Sequence, residues 1–394
     1  MSSSENPLPR EPFAWPRSES NAGRLLDGVK LLDLSRVLAG PYCAMVLADL
    51  GADVIKVEGP GGDETRRWGP PFHQGTAAYY YGTNRNKWDV VLDLTDAEDQ
   101  RFLAVLIREA DVVIHNYTEA IARKLGVDGD AVAAINPDAV HLTLSGFGPE
   151  DPDRRGYDLI AQALSGMMAI TGEPDRPGAK VGVPISDLAA GVFGALGVVS
   201  ALYARQRKKT GTRLDVSLYD STLAFLANQS MNWLISGEDT PRMGSEHPNI
   251  TPYGAYTTAD GAIVLGVGTD AQFGGLCAAL GAPALGADER FRTNVARVAH
   301  RDELRAELER LLAAKPSGAW APLLDELGVP NAMVRSVGEA LGAAETRSVM
   351  TIAHPELGEI PQVMGPIRVD GAYQEPYLPP PMHGEHTAEI KSTR

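Results

Sequence analysis

The sequence has few of the features that mark several common protein classes. Its 394 residues include two cysteines, Cys43 and Cys277, which cannot form a framework of disulfide bonds. Lysine and arginine total 36 against 51 aspartates and glutamates, and the resulting net charge of −15 would repel the phosphates of a nucleic acid. We therefore expect a cytoplasmic protein that does not bind nucleic acid.

Long apolar runs are also missing. The longest, residues 188–204, contains Gly191, Gly194 and Gly197 and is shorter than the roughly 20 apolar residues of a membrane-spanning helix. The start of the chain mixes proline, serine and charged residues, and it has no apolar core of the kind found in signal peptides. We expect no membrane segment, a buried helix over 188–204 and a flexible arm over 1–27.

Several ligand-binding motifs are absent. The turn after the first predicted strand reads SRVLAGPY and lacks the G-x-G-x-x-G of NAD-binding proteins, so Glu58 is better explained as a solvated strand end than as a ribose ligand. His383 and His386 form an H-x-x-H pair without a further metal ligand nearby, and we expect them to form hydrogen bonds within a loop. We expect no metal and no permanently bound cofactor.

The first half of the chain does contain alternating strand and helix patterns. Helical patterns at 41–50 and 96–109 lie between short apolar, strand-like runs. These runs cover residues 29–34, 53–57, 89–92, 111–114 and 140–144. Strands separated by helices form parallel sheets with helices on their faces, so the predicted fold class is α/β with a Rossmann-like sheet.

The second half predicts a smaller α+β domain. Helical patterns at 158–170, 187–206 and 220–235 complete the large domain, and a polar, proline-containing stretch follows them. The small domain then begins with a hairpin signal over 255–267. The predicted organisation comprises a flexible arm (1–27), a large α/β domain (28–236), a linker (237–252), a small α+β domain (253–335) and a segment that returns to the large domain (336–394).

One carboxylate suggests chemistry. Ser186 and Asp187, in VPISDLAAG, fall where a helix should begin, so a helix N-cap is one explanation. Catalysis is the other, because the positive end of a helix favours an ionised carboxylate and the small residues that follow leave room for a substrate. Backbone N–H groups at such a helix start could also stabilise an oxyanion.

Several motifs, taken in order, resemble the class III CoA-transferases of the CaiB/BaiF type, a family that includes the α-methylacyl-CoA racemases. They are GVKLLDLSRVLAGPYCAMVLADLGADVIKVE (28–58), GGDETRRWGPP (61–71), NRNK (84–87), ADVVIHNY (110–117), LSGFG (144–148), GYDLIAQALSGMMAITGE (156–173), VPISDLAAG (183–191) and GEHT (384–387). Together they span nearly the whole chain after residue 27.

The resemblance implies roles for particular residues. Asp187 matches the catalytic nucleophile of the family. The residues that match CoA contacts are Arg36, Val37, Ala39, Asn116, Tyr117 and Lys124, and those at the acyl site are Trp68, Tyr79, Tyr157 and Asp158. Arg85 is a further candidate CoA contact, with an exposed structural ion pair as the alternative. Gly59 stands where relatives often carry a basic residue, which leaves one contact unassigned.

The expected activity is transfer of CoA from an acyl-CoA donor, with succinyl-CoA as the candidate, to a carboxylic acid through aspartyl anhydride and thioester intermediates. Segment 244–253, GSEHPNITPY, lacks the glycine-rich loop of formyl-CoA transferases, which argues against oxalate and formate specialists. CoA and acyl-CoA are then substrates, and the resemblance implies an interlocked homodimer.

Two alternatives remain open. One is a 2-methylacyl-CoA racemase, although racemases of the family carry His before Asp where this chain has Tyr157 and Asp158. A phenol, with an ordinary pKa near 10, is a poor base at neutral pH. The other is a non-catalytic acyl-CoA-binding protein.

Overall fold

The computed structural model describes residues 13–375 and 377–392, and the chain divides into two compact units. The first combines the chain up to Met167 with Val181–Ala227 and the part from Arg347 onward, and the second combines Met168–Lys180 with Asn228–Thr346. The predicted linker at 237–252 lies within the second unit. Hydrogen bonds from Gly244 to Gly172 and from Arg242 to Ala169 tie it to segment 168–180. The second unit therefore includes a segment that the predicted small domain, 253–335, left out.

A six-stranded sheet forms the centre of the first unit. Its strands are β1 (Lys30–Asp33), β2 (Asp53–Glu58), β3 (Lys87–Val91), β4 (Val112–His115), β5 (Val140–Ser145) and β6 (Thr212–Ser217). They lie in the order β3-β2-β1-β4-β5-β6, and every neighbouring pair is parallel. The predicted parallel α/β sheet is confirmed. The strand order reverses between β1 and β4, which opens a crevice at the carboxyl ends of these two strands.

Helices cover both faces of this sheet. They are α1 (Ala39–Asp49), α2 (Ala97–Glu109), α3 (Glu119–Leu125), α4 (Gly129–Ile135), α5 (Asp158–Leu164), α6 (Ile185–Lys208) and α7 (Leu218–Phe225). The first unit also contains a one-turn helix at Ala78–Tyr81, and another, Met167–Ile170, lies where the chain enters the second unit. Local sequence explains the start of α2, because the Asp96 side chain caps it by accepting the N–H groups of Glu98 and Asp99. Phe102 and Leu106 are buried in the core between α2 and the sheet.

The long helix α6 packs closely on α1. A Cβ atom at Gly191 would lie 2.9 Å from the carbonyl oxygen of Ala39, so only glycine allows this approach. The predicted buried helix over 188–204 is buried on its inner face, and its outer face is open, since Leu196 and Tyr203 are 61% and 57% exposed. By length and composition α6 could cross a membrane, a property that core helices of soluble proteins share.

Two predicted helices are each interrupted. The pattern over 158–170 breaks at Gly166, which adopts φ +86°, and the pattern over 220–235 breaks at Ala227, with φ +47°. Each interruption lies within one or two residues of a point where the chain changes unit. Periodicity continued through both breaks because neither contains proline.

The second unit joins a small antiparallel sheet to a group of helices. Its strands are β7 (Tyr253–Thr257), β8 (Ala262–Gly266) and β9 (Asn331–Ala332). Its helices are α8 (Asn228–Ser236), α9 (Asp270–Ala279), α10 (Pro283–Ala287), α11 (Asn294–Ala299), α12 (Arg301–Leu312), α13 (Ser317–Glu326) and α14 (Val337–Leu341). Tyr256, Phe273, Leu308 and Trp320 are buried in its core. The hairpin predicted over 255–267 is present as β7 and β8.

The ends of the described chain pack on the first unit. Phe13 is buried and the Trp15 indole donates a hydrogen bond to the Asp53 carbonyl, so the predicted arm is wrong over residues 13–27. Residues 1–12 of that arm lie outside the described chain. At the other end, the hairpin β10 (Val349–His354) and β11 (Gly358–Val363) precedes α15 (Thr387–Ser392). A hairpin also joins Phe72–His73 to Thr76–Ala77.

Candidate functional site

A cavity of about 350 Å³ lies at the carboxyl ends of the central strands. Its walls are the segments that follow β1, β4 and β5, together with the loop after β2 and the first turn of α6. The lining residues are Arg36, Val37, Leu38, Ala39, Glu64, Trp68, Asn116, Tyr117, Thr118, Ile121, Leu144, Ser145, Gly146, Pro152, Arg154, Arg155, Gly156, Tyr157, Asp187 and Leu218. This is the place where open parallel sheets bind ligands.

Most of the expected CoA contacts meet in this cavity. Arg36, Val37, Ala39, Asn116 and Tyr117 all line it. The Arg36 guanidinium lies 5.4 Å from the centre of the Tyr117 ring and donates to Glu64, 3.0 Å away. These contacts fix the orientation of the Arg36 side chain at the cavity wall.

Lys124 does not line the cavity. It is an exposed residue of α3, three positions beyond the lining residue Ile121. Residues three apart on a helix share a face, so Lys124 extends the face of α3 that carries Ile121.

Arg85 is a correction to the sequence analysis. Its side chain is 4% exposed, its Nε donates to Asp49 at 2.9 Å, and its Nη1 donates to Gln362 at 3.3 Å. It is therefore neither a CoA contact nor an exposed ion pair. The buried carboxylate at the end of α1 requires a cation, and Arg85 supplies it.

Asp187 lies in the first turn of α6 and reaches the cavity. The helix begins at Ile185 with Pro184 as its N-cap, so the interpretation of Asp187 as an N-cap is wrong. Among the residues that the structure describes, none donates a hydrogen bond to its carboxylate. Burial, and secondly the charge of Asp158, raises the pKa of Asp187 to about 7. The expected fully ionised carboxylate is therefore corrected, because desolvation outweighs the stabilising effect of the helix end.

Asp158, by contrast, is fully engaged with the protein. Its Oδ1 accepts the backbone N–H of Ser186 at 2.8 Å, and its Oδ2 accepts the Gln162 amide at 2.7 Å. The Ser186 hydroxyl in turn receives a hydrogen bond from Thr222 at 2.8 Å. Asp158 thus anchors the start of α6 and does not line the cavity, which corrects its expected place at the acyl site.

The same bonds limit the oxyanion site expected at the start of α6. The N–H groups of Ile185 and Leu188 donate to Val183 and Pro184, and that of Ser186 donates to Asp158. Three backbone donors of this turn are therefore already satisfied. These three N–H groups already donate to protein acceptors, so they are not available to a substrate oxyanion.

Aromatic residues flank Asp187. Trp68 and Tyr157 line the cavity and are 44% and 65% exposed. Tyr79 packs edge-on against Trp68, with 5.5 Å between ring centres. Burial, and secondly the negative charge of Asp187, raises the pKa of Tyr79 to about 12, so its phenol remains a hydrogen-bond donor at neutral pH.

A buried charge network that the sequence did not predict lies beneath the cavity. Glu58 accepts from Arg66 and from Tyr80, so it is neither a solvated strand end nor a ribose ligand. Burial alone would raise the pKa of Glu58, but hydrogen bonds from Arg66 and the charge of Lys56 together lower it. All six residues of β2, DVIKVE, are buried. The available signal was the pair of charged residues Lys56 and Glu58, two positions apart within the otherwise apolar stretch VIKVE.

The histidine pair contacts the backbone. His383 Nε2 is 3.0 Å from the carbonyl oxygen of Gly59, and His386 Nδ1 accepts the N–H of Asp89 at 3.1 Å. Within residues 13–375 and 377–392, no group of three or more His, Cys, Asp or Glu side chains is arranged to hold a metal ion.

Comparison with known proteins identifies the family. The family model described as CoA-transferase family III matches residues 26–387. A succinate–glutarate CoA-transferase of Agrobacterium fabrum is 40% identical over 93% of this chain and 94% of its own length. An acetyl-CoA:oxalate CoA-transferase of Acetobacter aceti is 38% identical over 90% of this chain and 91% of its own. The crystal structure of a CaiB/BaiF family protein from Brucella suis, 39% identical, superposes with a TM-score of 0.82 and covers 94% of this chain and 99% of that one. The chain therefore belongs to CoA-transferase family III and is an acyl-CoA:carboxylate CoA-transferase.

Proposed function

We propose that the protein moves CoA between two dicarboxylic acids, with succinyl-CoA as the donor and Asp187 as the covalent nucleophile. The observation that carries the proposal is the Asp187 carboxylate itself. This carboxylate lines a cavity at the carboxyl ends of the strands, and no described residue donates a hydrogen bond to it. A carboxylate that is neither a helix cap nor an ion-pair partner is free to attack a thioester.

The proposed reaction consists of four successive acyl transfers. The Asp187 carboxylate attacks the donor thioester carbonyl, CoA leaves as thiolate, and a mixed anhydride remains. The thiolate attacks the aspartyl carbonyl of that anhydride, which releases the donor acid and leaves an aspartyl-CoA thioester. The acceptor carboxylate then displaces CoA to form a second anhydride. The thiolate attacks the acceptor carbonyl of this anhydride, so that acceptor-CoA forms and Asp187 is regenerated.

The choice of dicarboxylates rests on the charges of the cavity and on the relatives. Arg36, Arg154 and Arg155 line the cavity, and Arg154 also stacks on the Phe147 ring at 3.8 Å. Such cations can serve both the phosphates of CoA and a distal carboxylate. The similar proteins named above act on succinate and glutarate or on oxalate, so oxalate belongs in the test beside the longer acids.

The racemase alternative has little support in the geometry. The Asp158 carboxylate is bonded to Ser186 and Gln162 and does not line the cavity, so it is poorly placed to exchange a proton with a substrate there. Tyr157 supplies a phenol where the racemases carry an imidazole.

We expect CoA exchange without racemisation. Purified protein supplied with succinyl-CoA should form glutaryl-CoA or another dicarboxyl-CoA when offered a panel from oxalate to adipate, as read by mass spectrometry. In deuterated water, (R)- and (S)-2-methylacyl-CoA should keep both their configuration and their α-proton. Enzyme-dependent α-deuteration without CoA exchange would contradict the proposal and favour the racemase.

We further propose that the protein is an interlocked homodimer located in the cytoplasm. Apolar side chains follow one outer stripe of α6 at helical spacing, namely Val192, Leu196, Val199 and Tyr203, and they are 37–61% exposed. A second copy would bury this stripe. Light scattering should give a mass of about twice the 42.0 kDa of the chain, and a fully active monomer would contradict the proposal.

Free Cys43 and Cys277, both buried, support the proposed cytoplasmic location.

A further inference from the structure

We propose that Asp63, together with its buried partner Lys56, is a positioning residue that holds the loop between β1 and α1 in the shape that binds acyl-CoA. The inference rests on the proposed function of the cavity as an acyl-CoA site. It concerns residues that lie behind the cavity wall, since neither Asp63 nor Lys56 lines the cavity.

The loop contains an unfavourable backbone conformation. Val37 adopts φ +69°, in the left-handed region, where a β-branched residue is a clear outlier. Val37 nevertheless lines the cavity, between Arg36 and Leu38. Strain of this kind persists only where surrounding contacts impose it, and it is concentrated at functional sites.

Asp63 supplies one of those contacts. The backbone N–H of Val37 points at its carboxylate, with N–O distances of 3.2 Å to Oδ2 and 3.4 Å to Oδ1. The adjacent peptide group is held as well, because the Asn116 side chain accepts from the N–H of Arg36 and donates to its carbonyl, at 2.9 and 2.6 Å. The strained residue is therefore fixed by two side chains from other segments.

Lys56 fixes Asp63 in turn. Its ammonium donates to Asp63 Oδ2 at 3.2 Å and to the carbonyl oxygen of Ser35 at 3.0 Å. The Lys56 and Asp63 side chains are 0% and 1% exposed, so solvent screens this pair little. The Lys56 ammonium thus contacts the loop directly, at the Ser35 carbonyl, and indirectly, through the Asp63 carboxylate.

Asp63 also connects the loop to the segment that follows β2. Its Oδ1 accepts the N–H and the hydroxyl of Thr65 at 2.9 and 2.7 Å, which caps the turn Glu64–Arg67. The lining residues Glu64 and Trp68 belong to this turn or follow it directly. One buried carboxylate therefore sets the positions of two cavity walls relative to each other.

This arrangement predicts an effect on binding and not on chemistry. If Asp63 enforces the strained conformation of Val37, its loss lets the loop relax and weakens acyl-CoA binding. Asp187 stands on α6, which has its own anchor at Asp158, so the covalent steps keep their geometry. A purely structural role would lower stability without this separation of KM from kcat.

The test is a double-mutant cycle between residues 63 and 37. Asp63→Asn should raise KM for succinyl-CoA at least about tenfold while kcat changes less than about threefold. In the V37G background, where the residue accepts a positive φ without strain, the same substitution should raise KM less than about threefold. Lys56→Gln should show the same coupling to V37G, and it serves if Asp63→Asn does not fold.

The control is another buried ion pair of the same unit. Asp49→Asn breaks the pair with Arg85 at the end of α1 away from the cavity-lining residue Ala39, and it should lower the melting temperature while KM for succinyl-CoA stays unchanged. Equal effects of Asp63→Asn with and without V37G, or a similar rise of KM in Asp49→Asn, would overturn the inference.

Calorimetry with CoA separates the two proposals. If wild-type protein and Asp63→Asn bind CoA with equal affinity, the positioning role is overturned and the proposed function stays intact. Wild-type protein that binds no CoA would overturn both.

Discussion

Asp187→Asn is expected to lower the rate of CoA transfer by a factor of about 10⁴ or more, as seen when an enzyme loses its covalent nucleophile. An amide cannot form the anhydride. Among the described residues, the two other carboxylates at or beside the cavity already have partners, because Asp158 is bonded to Ser186 and Gln162 and Glu64 is paired with Arg36. The measurement is kcat for succinyl-CoA with the best acceptor of the panel, beside Asp187→Ala.

Binding and stability should survive the same substitution. The expected CoA contacts Arg36, Asn116 and Tyr117 belong to other segments, so calorimetry should give an unchanged Kd for CoA. The folded-state pKa of Asp187 is raised from 3.8 to about 7, so its ionised form destabilises the fold increasingly above pH 4 and fully above pH 7. At pH 8 the melting temperature of Asp187→Asn should therefore equal or exceed that of wild type. Near-normal transfer by this variant would contradict the proposed nucleophile.

The second large effect concerns pH. Because the nucleophile must be ionised and the pKa of Asp187 is about 7, kcat/KM for the first acyl-CoA should fall about tenfold for each pH unit below that value. Above pH 8 it should reach a plateau. A pH profile under conditions where the protein stays folded checks this directly.

Asp158 provides the means to move that profile. Its charge contributes to the raised pKa of Asp187, after burial, so Asp158→Asn should shift the acidic limb towards lower pH. An exposed carboxylate of the second unit, Asp302, supplies the matched control, and Asp302→Asn should leave the limb in place. A limb that does not move in Asp158→Asn would show that the two carboxylates are not electrostatically coupled.

Much of the fold followed from periodicity. Strands β1 to β5 correspond to the short apolar runs of the sequence, and helices α1 and α2 correspond to its helical patterns, because both kinds of pattern reflect burial directly. Near the points where the chain changes unit, at Gly166 and Ala227, the helical periodicity of the sequence continues although the helix ends. Contacts with distant parts of the chain determine where these helices end, and local periodicity does not report them. The packing of Phe13 and Trp15 was likewise invisible, since it depends on a groove formed by distant segments.

Part of the cavity lining was predictable from the sequence, and its electrostatics were not. Motifs pointed to Asp187 and to the loop residues Arg36 and Val37, which line the cavity, and also to Arg85 and Asp158, which do not. The ionisation of Asp187 depends on its burial and on the charge of Asp158, and neither can be read from a motif. Arg85 looked like a ligand because an arginine in a motif does not disclose its partner, Asp49. The role of the Lys56–Asp63 pair was missed because the groups that it holds, Ser35 and Val37, belong to a segment distant along the chain.

Trapping with hydroxylamine during turnover tests the central claim most directly. If Asp187 becomes acylated by succinyl-CoA, hydroxylamine should convert it to a hydroxamate, visible as a mass change on the peptide that contains VPISDLAAG. The adduct should require the thioester and should be absent from Asp187→Asn. An adduct on another carboxylate, or sustained CoA transfer with no adduct at Asp187, would contradict the account.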